Sequence, residues 1–412
     1  MLRAAAVCGV SILIVSAGPS PAGAQKLNYR GFAEMRTVLY PQTTPSDDDR
    51  ISLDGRVRFE PAYRPVRWLT LSGSADARLG NLDQVERAWR VDWRDRGAKR
   101  PALSVRQASA TLREGRFAVD LGKQFIRWGK ADILNPTDRL APRDFLEVTD
   151  NDFLAVTAGR IQWALGGHSL DFVWVPAFTP SRIPLAQRRW TALPENVGPI
   201  PVMDGGAMFP SGSQFGGRWN YLGSGYEMSL SYFDGFNHLP AIEAQALALP
   251  LSLHRTYAPL RMCGADAAVP LPWFTVKGEA AYLTTSSGTS DDLVLYVVQV
   301  ERQSGELSRV LGDADEIVTA SRSSLDFAPD RGLTKSVLGR ASYTIDANRN
   351  VAVEAAVRRN AKGVWIKTEY SQAYGASWRV TLNGTVIAGD ADEFFGRYRR
   401  NSHVGATVRY SL

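Results

Sequence analysis

Apolar and polar residues alternate along much of the chain with a period of two. In the stretch RISLDGRVRFE (50–60), one face is apolar and the other is polar and charged. The apolar face of that stretch consists of Ile51, Leu53, Val57 and Phe59. The same pattern recurs at 68–79, 226–233 and 377–387. Because successive side chains of a β-strand point to opposite faces, the alternation predicts strands with one apolar and one polar face.

The predicted strands are numerous, and many have the roughly 10 residues that a tilted strand needs to cross a membrane. Their ranges are 26–40, 50–60, 66–79, 101–112, 116–127, 153–163, 169–177, 213–222, 225–236, 256–269, 273–284, 292–302, 334–345, 350–359, 363–371, 376–388 and 402–412. Single-chain bacterial barrels have even strand numbers. The sequence therefore predicts an all-β fold, a closed antiparallel transmembrane β-barrel of about 16 strands, within a range of roughly 16 to 18.

Connections of two kinds separate these strands. Short turns are predicted at PAYRPV (61–66) and GSG (223–225), and long polar loops at 179–212 and 303–333. Short turns on one rim and long loops on the other are typical of outer-membrane barrels. Aromatic residues near strand ends, such as Trp68, suit the headgroup zone of a membrane, although a soluble β-protein could also pack them in its core.

The first 25 residues, MLRAAAVCGVSILIVSAGPSPAGAQ, have one positive charge, an apolar run and small residues before a cleavage point. This layout predicts a secretory signal peptide at 1–24 and a single barrel domain at 25–412. The mature part keeps Cys263 and loses Cys8, so no intrachain disulfide is expected. The net charge of +6 falls by one with Arg3 and is spread along the chain, which disfavours nucleic acid as a partner.

Catalytic motifs are absent from the sequence. The four histidines, His168, His238, His254 and His403, stand in no spaced metal motif, and there is no G-x-S-x-G elbow. The acids of TDND (149–152) do not have the spacing of a calcium loop. We therefore expect no enzyme, no metal site and no cofactor.

The run RWGKADILNPTDRLAPRDFLEVTDND (127–152) differs from the alternating stretches around it. Its prolines cannot continue a strand ladder, and its mixed charges and apolar residues predict an ordered loop at 129–152. We expect this loop to fold into the lumen and to narrow it. The candidate constriction residues of the run are Arg127, Lys130, Asp132, Asp138, Arg139, Arg143 and Asp144. A loop packed over the rim, with its charges paired among themselves, is the alternative.

The polar faces of the strands would line the lumen opposite this loop. The charged residues of these faces that would line it are Arg56, Arg58, Asp76, Arg78, Lys277, Glu279, Glu354, Lys367, Glu369 and Arg379. Among them, Arg56, Arg58, Lys277 and Glu279 are the candidate site residues. About 16 strands enclose a lumen wide enough for water. Charges at such a constriction set selectivity through their local field.

Three segments resemble a poorly characterised proteobacterial group of porin-like outer-membrane barrels. They are GKQFIRWGKADILNPTDRLAPRDF (122–145), KGEAAY (277–282) and EFFGRYRRNSHVGATVRYSL (393–412). The last segment also resembles the terminal assembly signal of such barrels, although it ends in Leu412 where Phe or Trp is usual. The resemblance implies a barrel and a role in envelope transport, and it transfers no catalytic residue.

The sequence thus predicts a channel in the bacterial outer membrane for passive transport of small solutes. Membrane lipid and small solutes are the expected partners, and a homo-oligomer is possible. The alternative is a non-conducting barrel for envelope assembly or export, plugged by the 127–152 loop. A soluble exported β-protein is a third interpretation.

Overall fold

The computed structural model describes residues 27–186, 188–191, 202–245, 250–286, 290–321 and 327–412. The predicted signal peptide lies outside these residues and stays a prediction. Within them, eighteen antiparallel strands form one sheet. The barrel strands are β1 Leu27–Leu39, β2 Ile51–Val66, β3 Leu69–Gly80, β4 Leu103–Glu114, β5 Phe117–Gln124, β6 Val156–Leu165, β7 His168–Val175, β8 Gln214–Leu222, β9 Glu227–Phe236, β10 Pro259–Pro270, β11 Thr275–Thr284, β12 Asp292–Ser304, β13 Leu307–Ala320, β14 Ser336–Asp346, β15 Arg349–Arg358, β16 Gly363–Tyr374, β17 Trp378–Gly389 and β18 His403–Ser411.

The sheet closes on itself. Each strand pairs with the strands before and after it in the chain, and β1 pairs with β18 from Phe32↔Ser411 to Leu39↔Val404. A membrane-spanning sheet has to close in this way, because an open edge would leave backbone groups without partners in lipid. The predicted closed barrel is confirmed, and its strand number lies at the top of the predicted range.

The two faces of the wall differ as the alternation predicts. Large apolar side chains such as Phe59, Leu121 and Ile161 are exposed on the outside. Polar side chains such as Asp171 and Glu279 are buried on the inside. This is the reverse of a soluble core, and it fits a wall whose outer surface meets lipid. Among the described residues, no helix has the length and apolar character required to cross a membrane.

The connections divide between the two rims. Turns of two to four residues, such as Gly115–Arg116 between β4 and β5, lie on the rim that holds Leu27 and Leu412. Gly115 has φ of +56°, a conformation that glycine adopts without strain. The opposite rim, called here the loop rim, has the longer connections, including 81–102 and 125–155. The predicted asymmetry of short turns and long loops is present.

Two predicted connections are wrong. The polar loop predicted at 303–333 contains the strand β13, which pairs with β12 and β14. Asp313 and Asp315 interrupt its apolar face, and Arg359 on the same outer surface contacts both carboxylates. The turn predicted at 61–66 is instead the end of β2, which pairs with β1 at Tyr29↔Pro61 and Leu27↔Tyr63.

Short strands and helical turns lie in the connections of the loop rim. Strands Val202–Met208, Ala241–Gln245 and Leu251–Thr256 form a separate three-stranded sheet. A helical turn spans Pro329–Gly332, and a 3₁₀ turn spans Gly396–Asn401. The 125–155 segment contains a two-residue strand pair, Arg143–Asp144 with Asp152–Phe153.

Candidate functional site

The 125–155 segment contacts inward-pointing side chains from opposite sides of the barrel. Its first half reaches strands β7 to β12, and its second half reaches β1, β2, β4 and β16. Strands so far apart in a closed sheet face each other across the lumen. A single connection therefore contacts both sides of the barrel interior.

Glu279 of β11 is the main anchor of the first half. Its carboxylate accepts hydrogen bonds from the backbone N–H groups of Lys130 (2.9 Å), Ala131 (3.1 Å) and Thr137 (2.8 Å), and from the Thr137 hydroxyl (2.9 Å). A carboxylate satisfies several donors at once, and these charge-assisted bonds are stronger than neutral ones. Gly129 fits here because its φ is +99°, and a Cβ would lie 2.6 Å from the Glu279 Oε1 atom.

Ion pairs surround this anchor. Lys277 contacts Asp132 at 3.0 Å and Glu301 at 2.7 Å, while Lys130 contacts Glu227 at 2.5 Å. The Gln299 side chain also donates a hydrogen bond to Asp132. These predicted residues are therefore paired with one another or with the wall.

Apolar packing fills the same side of the lumen. Leu134 and Leu140 are buried in one cluster with the inward-pointing Phe233, Met262 and Leu295. Trp128 belongs to the same cluster, and its indole N–H donates to Asp171 at 3.2 Å. This half of the interior is packed like a protein core.

The second half of the segment presents acids to the opposite wall. Glu147 and Asp150 each lie 2.9 Å from the Arg36 guanidinium. Asp152 lies 2.6 Å from Arg106, and Asp150 lies 3.7 Å from Lys367. The acids of TDND thus pair with cations of the wall.

Asp144 joins three loops. Arg100 of the 81–102 loop forms a two-point contact with its carboxylate, at 2.9 and 3.1 Å. Arg182, from the connection after β7, lies 3.3 Å away and also pairs with Asp95 at 2.8 Å. Burial alone would raise the pKa of the Asp144 carboxyl, but Arg100 and Arg182 hold it well below its usual range.

The remaining predicted residues of the segment are Arg127, Asp138, Arg139 and Arg143. Arg127 lies 3.7 Å from Asp138, and its guanidinium stacks on the Phe153 ring. Arg143 stacks on the same ring, and Arg139 reaches Asp330 at 3.3 Å. Burial raises the pKa of Asp138 to about 6, in opposition to the nearby arginines.

A cavity of about 470 Å³ remains between the segment and the wall formed by β1 to β3 and β16 to β18. The cations among the described residues that line it are Arg36, Arg56, Arg78, Arg100, Lys367, Arg379 and Arg409. Its acids are Glu34, Asp54, Asp144, Asp150, Asp152 and Glu369. All three acids that the 125–155 segment contributes face a wall rich in arginine.

Not every cation of this cavity is neutralised at close range. Arg56 lies 2.8 Å from Glu34, and Arg409 also pairs with Glu34. Arg78 lies 3.6 Å from Asp76. In the described part of the chain, Arg379 has no carboxylate within 4.0 Å and donates instead to the Ser371 hydroxyl at 3.0 Å. Among the described residues, Arg78 and Arg379 are thus the arginines of the cavity without a carboxylate at hydrogen-bond distance, and the nearest carboxylate of Lys367 lies 3.7 Å away.

The predicted site residues divide into three groups. Arg56 and Asp144 line the cavity, with Arg58 beside them on Asp76. Lys130, Asp132, Lys277 and Glu279 attach the segment to the wall. Arg127, Asp138, Arg139 and Arg143 are not among the residues that line the cavity.

Sequence reasoning left out several cavity residues. Arg36 and Arg409 both lie on the polar faces of alternating strands, so the period-two pattern could have found them. Arg100 lies outside every barrel strand, in the 81–102 loop, and no periodicity points to it.

The closed sheet, its apolar exterior and its charged interior define a porin-type transmembrane β-barrel, and the predicted fold class is confirmed. The chain is similar to a BenF-like porin from Pseudomonas fluorescens Pf-5 (TM-score 0.56, 9% identity, 94% of this chain and 97% of that one). It is also similar to OpdK from Pseudomonas aeruginosa (TM-score 0.53, 11% identity, 93% and 98%). A third similar structure is Wzi from Escherichia coli (TM-score 0.51, 13% identity, 94% and 84%).

At these identities the likeness shows the fold. No protein-family model matches the sequence, and no curated protein matches it. The expectation of a non-enzymatic barrel stays a prediction. Among the described residues, no group of three or more His, Cys, Asp or Glu is arranged to hold a metal ion.

Proposed function

We propose that the chain is an outer-membrane channel for small anionic solutes, which pass through the cavity between the 125–155 segment and the arginine-rich wall. The observation that carries the proposal is the cavity itself, with acids on the segment side and mostly cations on the wall side. Opposed charges at a narrow point create a field across it, which orders charged solutes and sets ion preference. The porin-type fold supports the same interpretation.

Arginines at the cavity wall favour anions that present two neighbouring oxygen atoms. The guanidinium group offers a planar fork of donors that matches a carboxylate or phosphate. Arg78 and Arg379 have such donors without a carboxylate at close contact, so they are the residues expected to hold a passing anion. Arg56 and Arg409 are already paired with Glu34 and contribute mainly to the field.

Planar-bilayer recording of the full barrel tests this function. We expect open-channel current with a reversal potential that indicates anion preference, and a clear loss of that preference in Arg78→Gln/Arg379→Gln. The matched control is Arg64→Gln/Arg67→Gln, which removes the same charge from exposed positions by the short-turn rim. Unchanged selectivity in the lumen variant would refute the assignment of these arginines.

A second candidate function is a non-conducting barrel that acts in envelope assembly. Its support is the packed half of the lumen, where Leu134 and Leu140 are buried among wall residues. Wzi, which has the same fold, is described as a carbohydrate-binding β-barrel involved in capsule assembly. Liposome swelling in small sugars and organic anions separates the two functions, because a closed barrel would give no swelling with any solute.

A further inference from the structure

The 81–102 loop carries an exposed aromatic stretch, called here the 86–94 flap. Trp89, Val91 and Trp93 are 66%, 57% and 42% exposed, respectively. Arginines alternate with them at positions 90 and 94, and Arg87 precedes them. Large apolar side chains that are exposed together, with a polar border, indicate a surface that meets another phase or partner.

The flap lies against the outer surface of the barrel. The Trp93 indole N–H donates to the Thr157 hydroxyl at 3.1 Å. Thr157 of β6 shares a face with Ile161, which is one of the exposed apolar residues of the wall. Val91 forms a parallel bridge with Leu103, at the loop-rim end of β4. The flap therefore continues the lipid-facing surface at the level of the loop rim.

Lys123 holds the flap in this position. It pairs with Thr157 in the register of β5 and β6, and it therefore also points outward. Its ammonium contacts Asp95 at 2.6 Å and donates to the Trp93 carbonyl at 2.8 Å, so that the side chain is almost fully buried. An uncovered lysine on the lipid-facing wall is costly, except near the interfaces. The flap covers the lysine, so that its ammonium pairs with Asp95 and is not in contact with lipid.

We propose that the 86–94 flap binds anionic phosphorylated headgroups in the leaflet of the membrane at the loop rim. Tryptophan rings favour the interface between acyl chains and water, where Trp89 and Trp93 would lie. Arginine binds phosphate through its planar fork, and among the described residues neither Arg87 nor Arg94 has a carboxylate within 4.0 Å. Arg90 already pairs with Glu86 at 3.0 Å.

The proposed partner of the flap is a lipid surface, because the flap combines two features. Its apolar residues are continuous with the exposed apolar wall, and Arg87 and Arg94 are exposed beside them. The proposal concerns the outside of the barrel and is independent of conduction through the lumen.

Tryptophan quenching in vesicles tests this binding. The full barrel and the Trp89→Phe/Trp93→Phe variant are reconstituted with acyl-brominated phosphatidylglycerol or acyl-brominated phosphatidylcholine. In each lipid, the emission of the variant is subtracted from that of the full barrel. The difference is the flap signal, that of Trp89 and Trp93, without the other nine tryptophans. We expect severalfold stronger quenching of that signal by the anionic lipid, and loss of this preference in Arg87→Gln/Arg94→Gln.

Trp68→Phe/Trp273→Phe is the matched control, since both residues are exposed at the short-turn rim. Their quenching should be unaffected by the arginine changes, and heat-modifiable gel mobility should show that every variant folds. Absent quenching of the flap signal would overturn the proposal. Equal quenching by both lipids would overturn the headgroup preference, and so would a preference that survives the double arginine substitution.

Discussion

At the scale of single residues, Gly129 is the position where backbone conformation and wall contact depend most directly on each other. Its φ of +99° is unfavourable for any other residue, and a Cβ would collide with the Glu279 carboxylate that anchors the segment. We expect Gly129→Ala to destabilise the folded barrel by about 1–3 kcal/mol or more, as forced backbone strain does. The thermal unfolding transition in detergent measures this loss.

Gly115→Ala is the matched control for that prediction. Gly115 also has positive φ, but nothing lies within 4 Å of a Cβ there. It therefore reports conformational strain without a collision. Equal losses in both variants would show that the collision of a Cβ at position 129 with Glu279 adds nothing to the conformational strain.

The raised pKa of Asp138 predicts that the stability of the folded barrel depends on pH. Burial raises its pKa to about 6, above the value of about 3.9 expected in the unfolded chain, so the folded state binds this proton more tightly. Stability from this group is fully present below about pH 4 and is lost as pH rises through about 6. We expect Asp138→Asn to stabilise the barrel at pH 7.5 and to have little effect at pH 4. Unfolding temperatures of both proteins across this range check the sign, and a gap that widens on acidification would contradict it.

At the scale of elements, Asp144 connects the 125–155 segment with the 81–102 loop and the connection after β7. Removing one partner of a buried ion pair leaves uncompensated charge and typically costs about 3–5 kcal/mol. We expect Asp144→Asn to destabilise by an amount in that range, because Arg100 would lose its two-point partner and Arg182 would keep only Asp95 of its two carboxylates. Urea unfolding and limited proteolysis of the 81–102 loop measure the effect.

The control for Asp144 lies in the same loop region. Asp83 pairs with Lys99 at 2.6 Å, but both side chains are partly exposed. Exposed ion pairs contribute about 0–1 kcal/mol, so Asp83→Asn should leave stability nearly unchanged. Similar losses in both variants would mean that burial of Asp144 is not the cause.

The strands and loops also show how much of the fold and of the candidate site could be predicted from the sequence. Seventeen of the barrel strands follow from alternation, because one face of each meets lipid and the other meets the lumen. β13 escapes the pattern because Asp313 and Asp315 lie on its outer face, where Arg359, at the end of β15 two strands away, contacts both carboxylates. The ion pairs of Asp144 escape for a similar reason, since both partners come from loops that no periodicity relates to it.

At the scale of the whole molecule, a wall that is a single β-sheet thick separates the lipid outside the barrel from the charged lumen inside it. Leu382 and Asn383 are neighbours near the middle of β17, yet Leu382 is half exposed on the outside while Asn383 lines the cavity. The same substitution at these two positions thus meets lipid in one case and a charged lumen in the other. The pair provides a direct test of the membrane orientation of the wall.

We expect Leu382→Arg to destabilise the barrel by about 2–4 kcal/mol, the cost of an arginine on the lipid face near the midplane. Asn383→Arg should be tolerated, because Glu369 and the segment acids line the same cavity, and it should strengthen anion preference in bilayer recordings. Folding titrations in vesicles and heat-modifiable mobility give the stabilities. Equal destabilisation by both changes would contradict the assignment of the two faces, and so would a larger loss for Asn383→Arg, since only the outer face lacks water to hydrate the new charge.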